Sequence, residues 1–171
     1  MRKIILNVAM SLDGLIEGPN GEFDWCFTDQ DYRMTNFLER IDAVLYGRKS
    51  YEVMMKEGKG KNPFDSKQSF VVSSVLSGHT DYTLINGDVL QKVKELKNST
   101  GNDIWLFGGA ELTASLMQAK LVDELMLAVH PIILGKGKPL FNALPCRVLT
   151  KLIASKPYSS GLVAMHYSLN N

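Results

Sequence analysis

Several absences narrow this chain before any motif is considered. It has two cysteines, Cys26 and Cys146, each without a second cysteine nearby. A disulfide framework and a C-x-x-C redox pair are therefore unsupported, and reduced thiols fit a reducing compartment. Its three histidines, His79, His130 and His166, lie on separate segments without ligand spacing, which argues against a metal site. No apolar run approaches the roughly 18 residues that cross a bilayer. Met1-Arg2-Lys3 leads straight into Ile4-Ile5-Leu6 without a signal-peptide cleavage pattern, so the expectation is a cytoplasmic protein with no membrane partner. An excess of either charge is missing too: 19 basic residues face 18 acidic ones, for a net charge of +1. The lysines between Lys56 and Lys67 come with Gly58, Gly60 and Pro63, and read as a mobile loop as well as an anion site. With no basic face and no interleaved aromatics, nucleic acid is not an expected partner. G-x-S-x-G, G-x-G-x-x-G and G-x-x-x-x-G-K-[ST] are all absent, so hydrolase chemistry, a classical dinucleotide fold and a P-loop are unsupported.

What is present is an ordinary globular composition, 171 residues with 45% hydrophobic and 22% charged, which predicts one domain spanning 1–171. The organising stretch begins at Ile104. Ile104 to Phe107 has the apolar, β-rich character of a buried strand and stops at Gly108-Gly109. From Ala110, the residues Leu112, Leu116, Ala119 and Leu121 recur at helical spacing, with Glu111 in the first turn, and Val122 to Val129 predicts a further strand. Two glycines where a strand meets a helix allow a tight turn. They also allow close approach of a ligand to the free N–H groups of the helix start, a geometry suited to phosphate.

Before this unit, strands are predicted at Lys3–Ala9, Ala43–Tyr46, Ser69–Ser74 and Tyr82–Ile85. Helices are predicted from Thr28 or Asp29 to about Arg40, from Ser50 to Met55, and from Asp88 to Leu96. The last should bury Val89, Leu90, Val93 and Leu96 and wet Lys92, Lys94 and Lys97. A long loop, Met10 to Trp25, is punctuated by Gly14, Gly18, Pro19 and Gly21. After residue 125 the pattern gives a bent strand from His130 and a closing hairpin, Val148–Ser155 and Gly161–Leu169. Strands alternating with helices and then strands alone imply an α/β fold with a mostly parallel central sheet, helices on both faces and an antiparallel C-terminal edge hairpin. In such sheets ligands lie beyond the carboxyl ends of the strands, here Ala9, Tyr46-Gly47-Arg48, Ser73-Ser74 and Phe107-Gly108-Gly109.

Four motifs in this order carry a resemblance: Ser11-Leu-Asp-Gly, Gly47-Arg-Lys-Ser, Val71-Val-Ser-Ser and Phe107-Gly-Gly-Ala-Glu-Leu. Together they resemble dihydrofolate reductase. The segment from Ile104 through Leu121-Val-Asp-Glu-Leu to Pro131 and Leu134-Gly135 is closer still to the reductase half of the bifunctional riboflavin-pathway deaminase-reductase. The resemblance covers nearly the whole chain and implies a three-layer αβα, dihydrofolate-reductase-like fold, NADPH as cofactor, a small heterocyclic substrate of pteridine or pyrimidine type, and a homodimer.

Carried onto this sequence, the resemblance implies that Ala9 and Ile16 flank the nicotinamide, that Gly14 lets the loop fold over it, and that Trp25 lines the loop's return. Gly47, Arg48, Lys49 and Ser50 would meet phosphates and Ser73 and Ser74 the adenosine end. Gly108, Gly109, Ala110, Glu111 and Leu112 would cradle the pyrophosphate, with Phe107 beside them. An arginine and hydroxyls suit a 2′-phosphate, favouring NADPH over NADH; a surface ion pair is the plainer reading of Arg48. Asp31 falls where dihydrofolate reductases carry their acid, although a carboxylate at a helix start needs no further role. Departures are equally specific: Leu38 replaces an arginine for the substrate's phosphate, Phe107 a glutamate before the hinge, and Met54 an acid near the cofactor. They leave open a binding or regulatory module that keeps the cleft without turnover.

Overall fold

The computed structural model describes residues 1–142 and 144–169. In chain order the elements are β1 (Ile4–Met10), β2 (Leu15–Glu17), α1 (Met34–Arg40), β3 (Ile41–Gly47), α2 (Arg48–Glu57), β4 (Gln68–Val72) and β5 (Thr83–Ile85). They continue with α3 (Val89–Asn98), β6 (Asp103–Gly108), α4 (Ala110–Gln118), β7 (Glu124–Val129), β8 (Lys138–Pro139), β9 (Thr150–Pro157) and β10 (Val163–Leu169). Eight strands form one sheet in the order β5-β4-β3-β6-β1-β7-β10-β9, and β2 pairs with β8 in a separate two-stranded ribbon. Pairing is parallel from β5 to β7 and antiparallel at β7–β10 and β10–β9. This is the mostly parallel sheet with an antiparallel C-terminal edge hairpin that the order of elements implied.

Alternation along the strands builds the layers. Ile4 pairs with Ile104 and Leu6 with Leu106, and these residues, with Ala43 and Leu45, point to the face covered by Val93 of α3 and by Leu112 and Leu116 of α4. The intervening Ile5, Val44, Tyr46, Val71 and Trp105 point the other way, against Phe37 of α1 and Tyr51 and Met54 of α2. Strands buried on both faces explain the continuous apolar runs in the sequence. Each fully buried Leu or Ile contributes roughly 1.5–3 kcal/mol through burial. Asp88 caps α3, its carboxylate accepting from the Gln91 N–H at 3.0 Å.

The structure corrects four local expectations. Helix α1 begins at Met34 rather than near Thr28, because Tyr32 and Arg33 adopt left-handed backbone conformations, φ 47° and 67°, that a helix cannot contain. Lys97, expected in water, is buried, its ammonium donating to the Leu121 carbonyl (3.0 Å) and to Asp123 (2.8 Å). Leu90, expected in the core, is 39% exposed. The bent strand predicted from His130 is loop apart from β8, which pairs with the unforeseen β2; strands of two and three residues carry no readable alternation.

Candidate functional site

At the carboxyl end of the sheet β3 and β6 lie side by side, and each runs directly into a helix: β3 into α2 through Gly47, β6 into α4 through Gly109. Neither Gly47 nor Gly109 can offer a side-chain cap, so the first-turn N–H groups of both helices remain open to a ligand. The two starts touch through backbone. A Cβ built on Gly47 would lie 3.2 Å from the Gly109 nitrogen and 3.4 Å from the Gly108 oxygen, so any side chain there would push the strands apart. Gly108 has φ +120° and joins Gly109 through a cis peptide. A Cβ on Gly109 would stand 3.2 Å from Ser50 Oγ and 3.8 Å from Lys138 Nζ, which marks both polar groups as converging above that glycine.

These features open onto one cleft of about 640 Å³, within the usual size of a cofactor or ligand site. Among the residues expected at a cofactor, Gly47, Arg48, Lys49, Ser50, Ser73, Ser74, Gly109, Ala110, Glu111 and Leu112 line it. Ala9, Gly14, Ile16, Trp25, Phe107 and Gly108 do not. Ala9 lies within β1 opposite Ala128 of β7. Gly14, φ +83°, and Ile16 lie on the loop and β2, which Leu140 anchors by donating its N–H to the Gly14 carbonyl at 2.9 Å. Phe107 packs with Tyr46, Phe64 and Trp105 in an aromatic cluster, ring centroids 5.0 to 6.2 Å apart. The sequence did not single out Asn86, Gly87, Leu90 or Lys138 as lining the cleft. Asn86-Gly87 directly after an apolar strand was the signal available for the first two.

The electrostatics of the cleft are mild. Arg48 donates to both carboxylate oxygens of Glu52, at 2.7 and 2.9 Å, a pair within one helix face that leaves the remaining guanidinium donors for an anion. Ser73 Oγ accepts from the Val75 and Leu76 N–H groups, at 3.1 and 3.0 Å, which shapes the turn after β4 and leaves its hydroxyl proton to donate. Lys138 reaches in from β8 and pairs with Glu17 of β2 at 3.1 Å. Open helix starts, a bare glycine floor and a lining of hydroxyls and cations fit an elongated polyanion such as a dinucleotide phosphate.

The long loop is held beside this cleft by its own contacts. Asp13 accepts from Ser11 Oγ (2.6 Å) and from the Gly135 and Leu134 N–H groups (2.7 and 3.1 Å), and the Ser11 bond above all holds its carboxyl below the usual range. Buried His130 accepts the Phe27 N–H at Nε2 (3.1 Å) and faces the Ala128 carbonyl through Nδ1 (3.0 Å), which suits the neutral ring; burial lowers its pKa against the backbone contacts with Ala128 and Met10. Trp25 packs edge-on against the same imidazole, its indole N–H buried without a hydrogen-bond partner among the described residues. Asp31 is exposed. Its carboxylate accepts from the Thr35 hydroxyl (2.8 Å) and N–H (3.0 Å), and these bonds keep it below the ordinary carboxyl range, so it is charged at neutral pH.

Known proteins share the family and the fold of this chain. The chain is 41% identical over 180 residues to the uncharacterised protein YyaP of Bacillus subtilis, covering 99% of this chain and 96% of that one. A crystal structure from Shewanella sp. PV-4, described as a candidate riboflavin biosynthesis protein, superposes with a TM-score of 0.88 at 25% identity, covering 100% of both chains. Dihydrofolate reductase of Enterococcus faecalis, solved with NADP(H), shares the fold at a TM-score of 0.73 and 16% identity, over 99% of this chain and 97% of that one. The family model described as the RibD C-terminal domain matches residues 2–164, and the chain belongs to that family.

Proposed function

We propose that this protein is an NADPH-dependent reductase that delivers hydride to a pteridine- or pyrimidine-like heterocycle. The observation that carries the reading is the pairing of two open helix starts across facing glycines, Gly47 and Gly109, on one cleft of about 640 Å³. Membership of the RibD C-terminal domain family supports reductase chemistry, and the fold shared with an NADP(H)-bound dihydrofolate reductase supports the cofactor. When bound, NADPH supplies the hydride. Gly109, Ala110, Glu111 and Leu112 would hold its pyrophosphate at the start of α4, Ser50 would reach it from α2, and Arg48, Lys49, Ser73 and Ser74 would hold the phosphorylated adenosine. Ala9, Gly14, Ile16 and Trp25 would enclose the reactive end, where the long loop excludes water.

Asp31 is our proposed acid: ionised at neutral pH by its bonds to Thr35, it would pass to the acceptor a proton taken up from water, in competition with those structural bonds. Asp31→Asn separates the two roles. A donor role predicts a lowered rate that no longer rises toward acid pH, with cofactor affinity intact; a purely structural role predicts a lower melting temperature and an unchanged pH profile.

We propose further that the protein is a cytoplasmic homodimer. All eight residues of edge strand β9 are exposed, and Leu149, Leu152 and Ile153 are 75%, 52% and 51% exposed, an apolar edge that a second copy would cover.

Thermal denaturation with NADPH and with NADH tests the cofactor assignment, since ligand at 100 times its Kd adds about 2.7 kcal/mol. The expected result is a clear shift with NADPH and a smaller one with NADH, followed by cofactor oxidation with a dihydrofolate, pterin or ribosylaminopyrimidine panel. No shift would remove the cofactor assignment, and binding without turnover on any acceptor would favour a regulatory module.

A further inference from the structure

The cleft has one cationic wall that comes from neither of its helices. Lys138 sits on β8, in the small ribbon with β2, yet its ammonium lies above the Gly109 backbone, as does Ser50 Oγ of α2. That ribbon is tightly fitted beneath it. Gly137 has φ +152°, and a Cβ there would collide with the Glu17 carbonyl, so the chain entering Lys138 is pressed against β2 through bare backbone. Just beyond, buried Leu140 fixes the ribbon to the long loop through the Gly14 carbonyl. The stem of Lys138 is thereby placed, while its head pairs, among the described residues, with Glu17 at 3.1 Å, the two side chains being 38% and 35% exposed. Pairs this exposed are weak.

Resting on the reading of the cleft as an NADP(H) site, we infer that Lys138 is a positioning residue that trades its Glu17 partner for the cofactor's pyrophosphate. The pyrophosphate, two negative charges on adjacent phosphates, would offer Lys138 above Gly109 more charge than the single one of a half-exposed carboxylate, in a spot already lined by the open N–H groups of α4. The exchange is a shift of one charge-assisted hydrogen bond, with no covalent change. Glu17 therefore competes with the cofactor for the ammonium. The ribbon bearing both residues joins the loop that encloses the reactive end, so this contact links cofactor binding to the setting of that loop.

The competition gives the two members of one ion pair opposite mutational signs, which a structural staple cannot do. Isothermal titration of the full chain with NADP+ and, separately, with adenosine 2′-monophosphate, which lacks the pyrophosphate, provides the readout. Lys138→Met, which keeps the stem, is expected to weaken NADP+ by about tenfold or more and to leave adenosine 2′-monophosphate unchanged. Glu17→Gln is expected to tighten NADP+ several-fold, with the ligand-free melting temperatures of both variants close to that of the parent. Weakening by both substitutions, no change with Glu17→Gln, or an equal loss for both nucleotides in Lys138→Met would each overturn the exchange. If the parent protein binds no NADP(H), it is the cofactor reading itself that fails.

Discussion

The two rims of the central sheet are built on opposite plans. At the amino ends of the parallel strands, charges are packed into neighbouring ion-pair clusters. Arg2 pairs with Asp42 and donates to the Asn102 carbonyl, and Arg40 bridges Asp103 (2.7 Å) and Glu124 (2.8 Å). Glu124 also meets Lys3 (2.6 Å) and His166 (2.8 Å), while Lys97 holds Asp123 (2.7 Å). At the carboxyl ends the strands finish in glycines and hydroxyls, helix donors stay open, and the ion pairs Arg48–Glu52 and Lys138–Glu17 are isolated and partly exposed. The contrast separates labour within one sheet. One rim satisfies its polar groups internally and ties β1, β3, β6, β7 and β10 together; the other leaves them available to a ligand.

Three perturbations probe that contrast. The largest effect is expected from Gly47→Val, whose side chain would strike the Gly108-Gly109 backbone; NADP(H) affinity should fall by orders of magnitude in a titration, even if the protein remains folded. Glu124 provides the opposing test. Burial pushes its pKa up, but hydrogen bonds from Arg40, Lys3 and His166 outweigh burial and bring it from 4.5 down to about 2. Since the folded state holds this proton less tightly than the unfolded one, the resulting stability is complete above about pH 4.5 and is lost as pH falls toward 2. It amounts to something on the order of 3 kcal/mol. Denaturant titrations across that range should show Glu124→Gln closing the gap to the parent as acid is added, with cofactor affinity at neutral pH little changed. The smallest effect belongs to Arg48→Ala, which should weaken NADPH by about tenfold and NADH much less. Equal losses for the two cofactors would assign Arg48 to its helix pair with Glu52 alone.

The sequence was most legible where its pattern was longest. The Ile104–Val129 unit appears as β6, α4 and β7 with small shifts of boundary, because a fully buried strand and an amphipathic helix each print a periodic signal. The polar rim residues after β3, β4 and β6 converge on one cleft for the same topological reason: parallel strands side by side place their carboxyl ends together. Less could be read of the ribbon that bears Lys138, since β2 and β8 are too short to alternate and their pairing spans more than a hundred residues. The charged amino rim went unread as well. Its signal is present, a charged residue at the threshold of successive apolar runs in Lys3-Ile4, Asp103-Ile104 and Glu124-Leu125, but which charge meets which is decided by strand order rather than by spacing. Helix α1 was overextended because capping residues at Thr28 and Asp29 look the same in sequence whether or not the backbone then turns left-handed at Tyr32 and Arg33.

Where Gly47 meets Gly109, main chain rests on main chain, and nothing there can be trimmed or exchanged. Such a floor fixes the depth of the groove for every descendant of the sequence. Any drift in what the protein recognises must therefore be written into its sides, at positions such as Ser74, Asn86 and Leu90, which can be altered without disturbing the ground beneath them.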